Sequence, residues 1–265
     1  MANHSTSDKS EFRTRIEKID VLLKENGWDV KDKSKVWMEV DTKQSDFKKK
    51  HYQTVSETLK NDDESKYADY LLLDNKGYPL AIVEAKRTSK DPIVGKRQAR
   101  EYAEDIKSQT GKSVFIFLSN GYEMWFWNYP DENPRMVKGF HDQDSLERIK
   151  WINENKKNID SVNINNKIID RPYQIEAVKR VCEGIKKGRR KFLIVQATGT
   201  GKTRVSMALI DRLMNANVTR KILFLADRRA LRDQAYNKGF KMFFPNESKL
   251  KVYSGKVDKT FRLYA

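Results

Sequence analysis

The chain has 265 residues, with 53 Lys and Arg against 37 Asp and Glu, a formal net charge of +16. Its 38% apolar and 11% aromatic content excludes a disordered tail, and its length allows one large domain or two ordinary ones. One cysteine, Cys182, excludes an internal disulfide and a cysteine-based zinc site. No apolar run approaches the length of a membrane span, and the polar opening Met1–Ser10 lacks a secretory pattern. The expectation is a cytoplasmic protein with no membrane partner. A basic excess of this size points to nucleic acid, with a lysine-rich proteome as the bland alternative. The excess is uneven: residues 1–160 hold 29 Lys and Arg and 29 Asp and Glu, whereas 161–265 hold 24 and 8.

In chain order, Glu11–Glu25 has helical spacing, with Phe12, Ile16, Ile19 and Leu23 on one face and Gly27 beyond its end. Strand-like runs follow at Val36–Val40, Tyr67–Leu73, Pro79–Ala85, Ser113–Leu118 and Glu123–Tyr129, with a helix near Ile93–Ser108. This is α/β patterning. Lys48-Lys49-Lys50 reads as a solvated surface. An Asn-rich stretch then reads as a linker or frayed helix end, giving an expected first domain over 1–155, a linker over 156–167 and a second domain over 168–265.

Asp74-Asn75-Lys76-Gly77 is turn-rich and joins two of the apolar runs, so a hairpin is expected. If Leu73 pairs with Leu80, Asp69 lies across from Glu84, and Lys86 shares the face of Glu84. A one-residue slip would break that cluster. Two carboxylates can hold Mg²⁺, which polarises a phosphoryl oxygen and acidifies a bound water. A lysine beside them can orient that water or stabilise developing charge. Glu-x-Lys occurs four times, at Glu64, Glu84, Glu154 and Glu247, but only Glu84 follows an apolar strand whose partner carries an Asp. A surface salt bridge is the competing reading of the same residues.

The pattern Asp69…Glu84-Ala85-Lys86 resembles the PD-(D/E)xK nuclease core. Gln98-Ala99-Arg100-Glu101-Tyr102 resembles the Q-x-x-x-Y helix of the branch that includes the restriction subunits of Type I restriction-modification systems. The opening Glu11-Phe12-Arg13-Thr14-Arg15 through Gly27-Trp28 is similar to the start of that nuclease domain. Ala68 stands where the core pattern has Pro. The resemblance implies a restriction-endonuclease-like mixed sheet with flanking helices. It gives Asp69 and Glu84 as metal ligands, Lys86 as catalytic lysine, Gln98 and Tyr102 as supporting residues and Glu11 as an auxiliary acid.

In the second part, Lys191–Val195 reads as a buried strand, followed by Gln196-Ala197-Thr198-Gly199-Thr200-Gly201-Lys202-Thr203 and a helix through Leu213. A strand, a glycine-rich loop and a helix, with Gly-Lys-Thr closing the loop, point to ATP phosphates. Thr198, Gly199, Thr200 and Gly201 would cradle them, Lys202 would neutralise charge, and Thr203 would give its hydroxyl to Mg²⁺. Arg171-Pro172-Tyr173-Gln174 resembles the R-x-Y-Q element of superfamily 2 helicases, in which the Gln reads adenine. Lys221–Ala235 reads as a second strand running into a basic helix. It resembles motif Ia of restriction motors, which implies backbone contact by Arg228, Arg229 and Arg232; a solvated helix face is the alternative. The cluster Lys186–Lys191 reads as either a DNA contact or a charged loop. No D-E-x-H box occurs in the 63 residues after Lys202. The resemblance therefore implies the front of a RecA-like lobe with parallel strands, and little ATP hydrolysis by this chain alone.

Taken together, the resemblance implies an ATP-dependent endonuclease subunit of a Type I system, acting on double-stranded DNA with methylation and specificity subunits. A standalone nuclease-helicase of repair or phage defence and a non-catalytic DNA- or ATP-binding fragment remain as alternatives.

Overall fold

A computed structural model of the chain describes residues 11–41, 67–253, 258 and 260–265. Lys48–Lys50 and Glu64 lie outside the described residues. The chain divides into two units, Met1–Glu147 and Arg148–Ala265.

The first unit is a mixed α/β fold. Helix α1 (Glu11–Thr14) and helix α2 (Asp20–Glu25) are joined by a π-helical turn, Arg15–Ile19. Strands β1 (Val36–Asp41), β2 (Tyr67–Leu73), β3 (Pro79–Ala85), β4 (Phe115–Ser119), β5 (Met124–Trp127) and β6 (Arg135–Val137) form one sheet in chain order. Every neighbouring pair is antiparallel except β3 and β4, which run parallel. Parallel neighbours need a crossover, and helix α3 (Lys96–Thr110) provides it. Ala99, Tyr102, Ala103 and Ile106 are the buried residues of α3, one stripe at helical spacing. They pack on Leu71, Leu73, Ile82, Ile116, Leu118 and Trp127 from one face of the sheet. Phe117 and Phe126 stack on the other face, 5.0 Å apart, with Phe140 5.1 Å from Phe117. All seven residues of β3 are buried, because a strand covered on both faces has no solvent side.

Three expectations for this unit need correction. Leu73 pairs with Pro79, not Leu80; a register shift at Leu72/Leu73 accommodates a strand whose first residue lacks an N–H. The expected alignment nonetheless holds through Leu72–Ala81, Leu71–Ile82 and Tyr70–Val83. Of the proposed N-terminal helical face, Ile19 and Leu23 are buried, but Phe12 and Ile16 are 65% and 50% exposed. Thr14 and Arg15 are buried instead, because the π turn rotates the face and its inward side is polar. Strands β4 and β5 are shorter than the expected runs, and β6 was not anticipated.

Helix α4 (Gln143–Asn155), also not anticipated, spans the division between the units. Within the expected linker, Ile159 is buried in the core of the second unit, together with Ile168 and Ile169 just beyond it. Around them pack helix α5 (Pro172–Lys186), helix α6 (Lys202–Asn215) and the short helix α7 (Arg229–Ala235). Strands β7 (Ile222–Leu223), β8 (Lys249–Leu250) and β9 (Leu263–Tyr264) form a small parallel sheet in the order β7-β9-β8. The second expected strand is thus reduced to two residues. Lys191–Val195 is not a strand at all: its backbone joins no ladder, and Leu193 and Val195 are 88% and 84% exposed. An apolar run becomes a strand only where a neighbour supplies hydrogen bonds, and none of β7–β9 pairs with it.

Candidate active site and nucleotide loop

The pairing of β2 with β3 fixes the first site. Asp69 Oδ2 accepts the backbone N–H of Ala85 at 2.7 Å, which sets the aspartate beside Glu84. Lys86 Nζ donates to Glu84 Oε1 at 2.6 Å and to Gln98 Oε1 at 3.4 Å. The Gln98 amide nitrogen in turn donates to the Tyr102 oxygen. Gln98 and Tyr102 are one turn apart on α3, so one helix face orients the lysine head group. Glu84 and Lys86 side chains are 2% and 13% exposed, which concentrates the charge in a poorly hydrated place. Burial pushes the Tyr102 phenol up to about 12; the Gln98 hydrogen bond opposes this, and Glu84 and Asp69 reinforce it.

The sequence motifs missed two contributors. Arg15 Nη1 donates to Asp69 Oδ1 at 3.2 Å, reaching the site from the π turn. Gly95, in the 3₁₀ turn Pro92–Gly95 that leads into α3, lies against Glu84 and Lys86: a Cβ there would sit 2.9 Å from Glu84 Cγ and 3.2 Å from Lys86 Cε. Lone arginines and glycines carry no pattern, and only their neighbours reveal them. Glu11 heads α1, but its side chain lies outside the described residues. Among the described residues, no group of three or more His, Cys, Asp and Glu is placed to hold a metal. Two carboxylates suffice for Mg²⁺, which keeps several of its waters, so the donor set fits that ion. A cavity of about 420 Å³ is lined by Ile93 and Val94 of the turn before α3, Lys96, Arg97 and Arg100 of α3, and Trp127.

In the second unit, the loop ahead of α6 is closed by its own side chains. Lys202 Nζ donates to the carbonyls of Gln196 and Ala197, at 3.1 and 3.2 Å. Thr200 Oγ1 donates to Ala197 O at 2.7 Å. Gly199 and Gly201 adopt φ of +83° and +88°, a region that side chains with a Cβ rarely enter. At Gly201 the space is also taken, because a Cβ would lie 2.6 Å from Gln174 Nε2. Gln174, 3% exposed, donates to Thr200 O at 2.8 Å, joined by the Tyr173 hydroxyl at 3.1 Å. Gln174 therefore braces the loop. Thr198 is exposed, and Thr203 lies in the first turn of α6 with its side chain half-buried. The first N–H groups of α6 have no side-chain cap and suit an anion. Arg228 and Arg229 are exposed at the start of α7. Arg232 turns inward: it pairs with Asp233 at 3.0 Å, donates to Val252 O and lies 4.3 Å from the Tyr253 ring centroid. The described residues contain no helix long and apolar enough to cross a membrane.

Comparison with known proteins adds relatives to this geometry. Residues 8–135 match the family described as Type I restriction enzyme R protein N terminus, and residues 167–262 match Type III restriction enzyme, res subunit. The endonuclease subunit of the Type I restriction enzyme EcoAI from Escherichia coli is 28% identical over 215 residues, 75% of this chain and 25% of that protein. The EcoKI endonuclease subunit from Escherichia coli (strain K12) is 30% identical over 153 residues, 57% of this chain and 12% of that protein. A solved fragment of an HsdR-type subunit of a type I restriction enzyme from Vibrio vulnificus YJ016 has a TM-score of 0.44 and 26% identity; the match covers 98% of this chain and 47% of that one. The chain thus spans about a quarter or less of the curated relatives it matches. With the two family matches in this order along one chain, it is similar over most of its length to the N-terminal part of the endonuclease (R) subunits of Type I restriction enzymes.

Proposed function

We propose that the first unit is a metal-dependent endodeoxyribonuclease, and that the observation carrying this reading is the convergence of Asp69, Glu84 and Lys86 at one end of a buried hairpin. Asp69 and Glu84 would hold Mg²⁺. When bound, that ion supplies Lewis-acid polarisation of the scissile phosphate and a more acidic water. Lys86 stabilises the extra negative charge that builds on phosphorus as the water attacks. Gln98 keeps the ammonium turned inward, and Tyr102 holds Gln98. The fold supports a restriction-endonuclease-like core, with Glu11 as a candidate auxiliary acid. Lys96, Arg97 and Arg100, which line one cavity on α3, are candidate contacts to a phosphodiester backbone.

The second unit is read as part of a RecA-like ATP-binding lobe. Thr198, Gly199, Thr200, Gly201 and Lys202 would hold the phosphates, Thr203 would hold Mg²⁺, and Gln174 lies at the edge of the loop. Arg228 and Arg229 are its candidate DNA-backbone contacts, whereas the partners of Arg232 assign it first to holding α7. In the complete protein, ATP-driven movement along double-stranded DNA would bring the strand to the nuclease, within a complex with methylation and specificity subunits.

The test is nicking of supercoiled DNA by the purified chain with Mg²⁺. Nicking that disappears in Asp69→Ala and Lys86→Ala supports the assignment. Nicking that persists in both variants refutes it.

A further inference from the structure

Arg15 lies in the opening segment that resembles the start of the nuclease domain but is given no role by it, yet its side chain is only 11% exposed and ends on a candidate metal ligand. Asp69 is gripped from two sides, by the Ala85 N–H at Oδ2 and by Arg15 at Oδ1. The guanidinium carbon also lies 5.2 Å from the Tyr70 ring centroid, and the Tyr70 hydroxyl donates to Asp20 Oδ1 at 2.7 Å. Arg15 opens the π-helical turn, a local geometry that recurs at functional sites. That turn leaves Phe12 and Ile16 outside and places a cation inside.

The four charged side chains joined by these contacts balance one another. Asp69 and Glu84 carry two negative charges, and Arg15 and Lys86 carry two positive ones. A divalent cation entering a balanced cluster leaves it with a surplus of two positive charges. A phosphodiester and a hydroxide together supply two negative charges.

We propose that Arg15 is a positioning residue that fixes the Asp69 carboxylate and balances its charge, so that divalent metal and DNA phosphate bind as a pair, each weak alone and each tightened by the other. This rests on the reading of Asp69 and Glu84 as metal ligands. By linkage, the tightening must be equal in both directions.

The experiment titrates Mn²⁺ into the full chain by calorimetry, with and without a duplex made resistant to cleavage by phosphorothioate linkages. Arg15→Met removes one positive charge beside Asp69. It should tighten Mn²⁺ binding without DNA about tenfold and shrink the extra tightening caused by DNA. Arg15→Gln should behave the same way. Arg15→Lys keeps the charge and should keep the weak metal affinity and the coupling.

Unchanged or weaker Mn²⁺ binding in both neutral variants, with binding still abolished by Asp69→Asn, overturns the role of Arg15 alone. Mn²⁺ binding that does not depend on Asp69 in the parent chain overturns the metal site, and the role of Arg15 with it. Loss of folding in both neutral variants by circular dichroism assigns Arg15 to stability and overturns the coupling.

Discussion

Gly95→Ala tests how closely the turn before α3 lies against Glu84 and Lys86. Gly95 has φ −71° and ψ −5°, a backbone open to any residue, so the substitution probes space alone. The new methyl carbon would lie 2.9 Å from Glu84 Cγ. Carbon atoms settle at about 3.5–4.0 Å, so the turn or the glutamate must retreat by roughly 0.6–1 Å. Glu84 is 2% exposed and has no open side to move toward. Overpacking of this kind costs about 1–3 kcal/mol. Loss of glycine's freedom in the unfolded chain returns about 0.4–1 kcal/mol. A net loss of about 1–2 kcal/mol is expected, with a melting point lower by a few degrees. The larger effect falls on chemistry, because a carboxylate displaced by about 1 Å can cost on the order of 100-fold in rate. Thermal melting by circular dichroism and Mg²⁺-dependent nicking of supercoiled DNA read the two effects. A variant that melts and nicks like the parent would show that Gly95 does not support Glu84.

Three further outcomes follow from local geometry. Lys202→Ala should weaken binding of a fluorescent ATP analogue at least about tenfold, since the ammonium is the charge nearest the β- and γ-phosphates in such loops; equal affinity would remove the loop from nucleotide binding. Cys182 is 1% exposed and burial pushes its thiol up, so Ellman's reagent at pH 8 should label the folded chain far more slowly than the chain in guanidinium, and equal rates would contradict its burial. The Tyr102 phenol, raised to about 12 in the fold against about 10 in an unfolded chain, favours the folded state while neutral. That contribution is complete below pH 10 and is lost as pH rises through 12. The stability difference between the parent and Tyr102→Phe should therefore narrow over that interval, and a constant difference would argue against the assignment.

Much of the first unit was legible from local pattern. The turn Asp74–Gly77, the apolar runs either side of it and the acidic residues at their far ends specify a hairpin and its register nearly to the residue. The register shift at Pro79 was not legible, because it depends on which hydrogen bond β2 gives up. Gln98 and Tyr102 could be placed on one helix face by their spacing, but that this face turns toward Lys86 depends on how α3 crosses from β3 to β4. The second unit shows the opposite balance. Its glycine-rich loop was plain from glycine spacing, whereas the strand before it was expected from apolar content and is exposed.

Sequence by itself determined the features whose cause lies within a few residues: the turn, the glycine-rich loop, the amphipathic stripe of α3 and the division of charge between the two parts of the chain. Tertiary structure alone decided what depends on distant neighbours. Arg15 meets Asp69 across 54 positions, Gly95 leaves room for Glu84, Gln174 braces a loop 26 residues away, and Lys191–Val195 finds no strand to pair with. The physical reason is common to all four. A turn satisfies its hydrogen bonds internally, but an ion pair, a close approach or a strand ladder exists only when a second segment arrives.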